Sequence, residues 1–176
     1  QVRRKLQGIF LMSRLDSFIR RMTSQKTLLE FLVDKVNEVD GPILELGLGN
    51  GRTYDHLREI YPNKEIFVFD FAMDCHPSCA PDAHHMILGN IRDTLVFCGP
   101  RIGAKASFAH IDIGSADPTN DLATASWLAP SIDAHMAVGG IILCALELNL
   151  PNYEPLKKPD GIHRGRYHIY RKTSEA

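Results

Sequence analysis

One stretch constrains this chain more than any other: Ile43-Leu44-Glu45-Leu46-Gly47-Leu48-Gly49-Asn50-Gly51-Arg52-Thr53. A short apolar run holding one acid breaks into glycines at alternate positions, which reads as a buried strand entering a sharp turn. About twenty residues past the last glycine a second apolar run, Ile66-Phe67-Val68-Phe69, closes on Asp70. Strand, glycine turn, helix and a second strand ending in an acid make half of a nucleotide-binding α/β unit. The free N–H groups of a helix starting near Arg52 would then lie at the carboxyl edge of the first strand.

The alternation continues downstream. Apolar periodicity predicts helical structure over 12–39, in two stripes (Leu15, Phe18, Ile19, Met22, then Leu28 or Leu29, Leu32, Val33, Val36, Val39), with Thr23 and Ser24 able to cap the second. Asp40-Gly41-Pro42 stops it. Strands are expected at 43–46, 66–69, 86–88, 107–113 and 141–146, with a last one at 167–170. Helices are expected at 53–60, 91–98 and 121–136, where Pro130 demands a break or a first turn. Pro77 and Pro81 keep any helix between Phe71 and His84 short. The fold class is therefore α/β, a Rossmann-like three-layer sandwich with a mostly parallel sheet of six or seven strands and N-terminal helices. One domain is expected over 1–176: a helical cap at 1–40, a ligand-binding core at 41–146 and a shortened loop and strand at 147–176.

Composition narrows the function. Twenty basic and twenty-one acidic residues nearly cancel, so no nucleic acid or membrane partner is expected. The basic Gln1-Val2-Arg3-Arg4-Lys5 reads as a solvated tail. The longest uncharged apolar stretch, 136–146, is shorter than the ~20 residues of a membrane span, and no signal peptide is visible. Four cysteines are too sparse for a disulfide scaffold, which fits a cytoplasmic setting.

The spacing of the turn selects its ligand. A dinucleotide fingerprint needs glycine or alanine where bulky Arg52 stands, and an acid at Glu45 sits poorly beside a pyrophosphate. Acid-x-Gly-x-Gly-x-Gly instead resembles the glycine motif of class I S-adenosylmethionine-dependent methyltransferases, in a small, compact bacterial branch. The resemblance spans roughly 30–146 and implies S-adenosyl-L-methionine as cofactor. It assigns the cofactor to Glu45, Gly47, Gly49, Asn50, Gly51 and Thr53 in the turn. It places the ribose hydroxyls on Asp70 beside Phe71, and the adenine on Gly89, Asn90 and Ile91. Asn90 stands where the family usually has an acid, although an amide can still read the adenine amino group. Asp112, after the fourth strand, falls at a substrate-side position. It is the first candidate for a general base as well as a cofactor contact, and His110, at the same strand parity, is the second. Asp112 reads equally well as a helix cap, since Ser115, Asp117 and Thr119 compete for that role. The Arg20-to-Gln25 bend is expected to close over the methionine end of the cofactor.

Elsewhere the family pattern is broken. Cys75, His76, Cys79, His84 and His85 cluster in sequence, but Cys-x₃-Cys with loose histidines is not a zinc spacing, so no metal is expected. The Asp-Asn pair that catechol-type O-methylation wants after the fifth strand is absent. Between 147 and 171 there is hardly room for the family's further helix and antiparallel hairpin. A long loop is expected over 148–161, and an exposed sheet edge would invite a homodimer or larger homo-oligomer. The acceptor is expected to be a small molecule. Two other functions remain: a cofactor-binding module without catalysis, and an NAD(P)-dependent oxidoreductase. Tyr153 and Lys157 have a dehydrogenase spacing, but Pro151, Pro155 and Pro159 make a helix there improbable.

Overall fold

The computed structural model describes residues 13–115, 117–162 and 166–175; the basic tail at 1–5 lies outside them. Strands β1 (Ile43–Leu46), β2 (Ile66–Asp70), β3 (Met86–Leu88), β4 (Ala106–Ile111), β5 (Met136–Cys144), β6 (Tyr153–Pro155) and β7 (His168–Lys172) form one sheet. Its order is β3-β2-β1-β4-β5-β7-β6. The strands from β3 to β5 run parallel; β7 lies antiparallel to β5 and to β6. The strand order reverses between β1 and β4, and an open α/β sheet binds its ligand at the carboxyl ends beside such a reversal.

Helices α1 (Arg14–Phe31), α2 (Val33–Asn37) and α3 (Arg52–Ile60) cover one face. There Leu28, Leu32, Val36 and Leu57 pack on Ile43, Val68, Phe108 and Ile141. Helices α4 (Ile91–Phe97), α5 (Gly99–Ile102) and α6 (Pro118–Asp133) cover the other, where Leu95, Ile102, Leu128 and Ile132 meet Leu44, Phe67, Ala109 and Ile142. Adjacent strand residues thus feed opposite cores, and a parallel sheet buried on both faces reads as continuous apolar runs. That gives the expected three layers.

Several expectations are corrected. Thr23 and Ser24 do not start a second helix: α1 runs unbroken from its Ser13 cap, and the interruption falls at Leu32. Ser24 and Gln25 are buried in the helix interior, so there is no bend from Arg20 to Gln25. Pro130 neither breaks α6 nor opens it, but sits near its end; Pro118 takes the first turn. Burial of Leu128, Ala129 and Ile132 offsets the one backbone bond a proline removes there. Strand β5 begins at Met136, so Gly139 and Gly140 lie inside it, at an irregularity where the register with β4 shifts.

The sheet has seven strands, the larger of the two expected numbers; the correction is to the expected loop, which contains β6, and this forms the hairpin with β7. No helix joins β5 to β6. In its place Leu146, Leu148 and Leu150 point into the core while Glu147 and Asn149 stay exposed. The Leu148 N–H donates to Tyr170 Oη at 3.0 Å, which holds this strip down. Among the described residues no helix is long and apolar enough to cross a membrane.

Candidate active site

Parallel pairing brings the predicted residues to one rim. Leu46 pairs with Phe69 and with Ile111, and Asp70 with Leu88, so the turns after β1, β2, β3 and β4 open side by side. The rim exists because these strands end in register.

The glycine turn is built around Asp70. Its Oδ2 accepts the N–H groups of Leu48 at 2.7 Å and Gly49 at 3.0 Å. Its Oδ1 accepts that of Phe71 at 2.6 Å and, more weakly, that of Ala72 at 3.4 Å. One carboxylate therefore clamps the turn after β1 to the turn after β2, through charge-assisted bonds that are about twice as strong as neutral ones. Gly47, Gly49 and Gly51 all have positive φ. Gly51 needs glycine twice over: a Cβ there would meet Cys79 Cβ at 2.7 Å and Cys75 Cβ at 3.0 Å. Gly49 has φ +49° and nothing within 4 Å of an added Cβ, so its backbone is open to a ligand. Asn50 is exposed, and Thr53 is half-buried in the first turn of α3.

Beyond β2, Phe71 is 81% exposed, an apolar ring left beside the rim. The Gly89 N–H donates to the Asp70 carbonyl at 3.0 Å. Asn90 caps α4, its Oδ1 accepting the Arg92 N–H at 3.0 Å, and half-buried Ile91 follows. The oxygen of Asn90 is thus taken by the helix, leaving Nδ2 as its group for a ligand.

The acid side of the site is a chain of four side chains. The resemblance places Glu45 on the cofactor; the side chain is fully buried, and its Oε2 accepts from His110 Nδ1 at 2.7 Å. His110 is fully buried as well, because Glu45 and His110 are register partners on adjacent strands. Gln25 Nε2 lies 3.2 Å from His110 Nε2 and donates to Asp112 Oδ2 at 3.1 Å. The two hydrogens of that amide serve both acceptors if His110 is neutral with its proton on Nδ1. Burial, the largest single influence, opposes a charge on His110, but the charge and hydrogen bond of Glu45 together with the charge of Asp112 raise the histidine above its ordinary value. Burial raises Glu45 in turn, more than His110 lowers it. Among the described residues Glu45 Oε1 is buried without a partner. An orphaned buried oxygen beside a glycine turn is the kind of acceptor an ammonium or a water fills.

Asp112 is half-buried at the end of β4 and does not cap α6; Asp117 does, accepting from Thr119 and Asn120. Gln25 was expected near the site only as the end of the Arg20-to-Gln25 bend; its link to His110 and Asp112 is what sequence reasoning missed. Gln25 lies far from Asp112 in the chain, and only the packing of α1 on the sheet joins them. A cavity of about 330 Å³ opens beside it between α1 and α3, lined by Phe18, Met22, Gln25, Leu29, Arg52 and Thr53 among others.

The cysteine–histidine cluster does not assemble as one group. Cys75 and Cys79 pack beneath Gly51, whereas His84 and His85 stand with Glu65.

A glycine turn at the reversal of strand order, clamped by an acid from the neighbouring strand, defines an α/β protein that holds a nucleoside. The chain belongs to the S-adenosyl-L-methionine methyltransferase family, which it matches over residues 12–172. It is an S-adenosylmethionine-dependent methyltransferase. The crystal structure of an S-adenosyl-L-methionine methyl transferase from Silicibacter pomeroyi DSS-3 is 42% identical, over 91% of this chain and 98% of that one, with a TM-score of 0.83. Two more distant structures share the fold. The magnesium protoporphyrin IX methyltransferase of Synechocystis PCC 6803, with bound SAH, is 7% identical over 94% of this chain and 90% of that one (TM-score 0.59). A sugar N-methyltransferase from Streptoalloteichus is 16% identical over 88% and 65% (TM-score 0.52). No curated protein is significantly similar to the chain.

Proposed function

We propose that this methyltransferase acts on a small molecule, held between α1 and α3, whose proton is taken by Asp112. The observation that carries this reading is the position of Gln25, which lines the cavity of about 330 Å³ and donates to Asp112. A space of that size suits a small acceptor. Phe18, Met22 and Leu29 supply apolar walls, and Arg52 adds a cation.

When bound, S-adenosylmethionine supplies an electrophilic methyl group on a positively charged sulfur. The rest of the work falls to the chain. Gly47, Gly49 and Gly51 let the backbone approach the ligand, and Thr53 adds a hydroxyl at the start of α3. Asp70 has the two oxygens that a ribose diol requires, and it would exchange some of its backbone bonds for them. Gly89, Asn90 and Ile91, with Phe71, wall the adenine. Asp112 accepts the proton of the nucleophile. Gln25 holds that carboxylate in place and, by contacting His110, ties it to the buried Glu45. Because His110 is buried, it acts as a positioning residue through Gln25 and not by touching an acceptor.

Release of S-adenosylhomocysteine, measured with a fractionated cell extract, tests the reading. Turnover supported by the low-molecular-mass fraction and lost in Asp112→Asn is expected. Turnover supported only by the protein or nucleic-acid fraction would sink it.

A further inference from the structure

A cluster of one carboxylate and two imidazoles lies at the opposite end of the sheet. Glu65 stands just before β2, and His84 and His85 just before β3, so parallel pairing of these strands brings the three side chains together. One carboxylate oxygen and one nitrogen from each imidazole all lie within 4.8 Å of one another. His85 Nε2 is already 3.5 Å from Glu65 Oε1. The other nitrogen of His85, Nδ1, is 2.8 Å from Asp82 Oδ2. Asp82 is itself fixed, since its Oδ1 accepts the backbone N–H groups of His84 and His85 at 2.8 and 3.0 Å. A carboxylate that accepts a hydrogen bond from Nδ1–H fixes the tautomer and leaves the Nε2 lone pair free for a metal.

We infer that Glu65, His84 and His85 bind a zinc-type divalent cation, with Asp82 orienting His85 from behind. Two imidazoles and a carboxylate, with no thiolate, form a borderline donor set that suits zinc or cobalt better than magnesium or calcium. Tetrahedral bonds of about 2.1 Å place neighbouring donors about 3.4 Å apart, so the three groups need to close by little more than an ångström. Glu65 and His84 are exposed and free to move that far, while His85 is the clamped member. A cleft of about 480 Å³ borders Glu65, Asp82 and His85 and leaves room for water at the remaining coordination position. The ion would staple the amino ends of β2 and β3. Their carboxyl ends, at Asp70 and Gly89, lie across the sheet, so the ion would touch nothing that holds the cofactor. The sequence argued against a metal because Cys-x₃-Cys with loose histidines is not a zinc spacing; Glu65 lies about twenty residues before the histidines, and only the strand pairing brings it to them.

The test is calorimetric titration of the full chain with zinc chloride, paired with cobalt(II) absorption. One equivalent should bind, with visible cobalt bands and no near-ultraviolet thiolate band. Binding should vanish in the His84→Ala, His85→Ala double variant, and Asp82→Asn should weaken it by about ten- to a hundredfold. Zinc should also raise the unfolding temperature of the wild type and leave that of the double variant unchanged, with S-adenosylmethionine affinity the same in both. Stoichiometric binding that survives the double variant, a thiolate band from Cys75 and Cys79, or no binding at all would overturn the inference.

Discussion

Glu45 Oε2 and His110 Nδ1 lie 2.7 Å apart, with both side chains fully buried between β1 and β4. Such a pair is costly to break and cheap to replace whole, because removing one partner strands the other without water. His110→Ala should therefore destabilise the fold by about 3–5 kcal/mol in urea titration, and Glu45→Met with His110→Leu should recover much of that loss. A double variant as unstable as the single one would show that the pair is not the cause.

The same pair sets a pH dependence. Both groups hold a proton more tightly in the fold than in the unfolded chain, so the native state is the more protonated one and stability falls as pH rises. The contribution of Glu45 is complete below its ordinary 4.5 and declines above it. That of His110 is complete below 6.5 and is lost as pH climbs through its raised folded value. Unfolding free energy measured from acid to mildly basic pH should decline more steeply in the wild type than in the double variant.

Asp70 clamps the glycine turn and, on the proposed reading, also holds the ribose. Asp70→Ala removes the clamp on Leu48 and Gly49 together with any ribose contact. Losing one or two bonds to a charged group, at about 1.5–3 kcal/mol each, should weaken S-adenosylmethionine binding by tenfold or more in calorimetry. Asp70→Asn keeps one acceptor oxygen and should fall between Asp70→Ala and the wild type.

Two glycines of one turn should respond in opposite ways. Gly51→Ala forces a Cβ onto Cys79 and Cys75 at φ +80°, so it should lower the unfolding temperature well beyond the ~1–2 kcal/mol of left-handed strain alone. Gly49→Ala meets open space at φ +49° and should cost only that strain. Its larger effect should be on cofactor affinity, since the added methyl occupies the ligand's approach.

Lys172 has only 2% of its side chain exposed and ties the last strand down. Its Nζ reaches Asp133 Oδ1 at 3.1 Å and Glu175 Oε2 at 2.9 Å, and donates to the Asp133 and Met136 carbonyls at 3.2 Å. Lys172→Met should cost about 1–3 kcal/mol, since the stranded acids keep partial access to water. Hydrogen exchange should then quicken first in β7.

Much of this was legible beforehand, for particular reasons. The turn from Glu45 to Thr53 and the acid at Asp70 were readable because they answer to local geometry: glycines where φ is positive, an acid where a strand ends. Strand β3 was found residue for residue because Gly89 and Asn90 punctuate it. The long α1 was missed because Thr23 and Ser24 look like a cap, while tertiary packing of Leu28 and Leu29 carries the helix past them. The link from Gln25 was hidden for a related reason. A glutamine inside a helix has no signature until the sheet supplies His110 and Asp112 as its partners. Strand β6 is only three residues long and contains Pro155, so pairing with β7, not propensity, makes it a strand.

The leucine strip from Leu146 to Leu150 offers a practical opening. Every second residue is anchored and the intervening ones, Glu147 and Asn149, carry no such duty, so the segment is a natural attachment point for a fluorophore. A reporter placed there would ride on rigid backbone near the carboxyl ends of the central strands. It would sense ligand arrival while leaving the catalytic groups untouched.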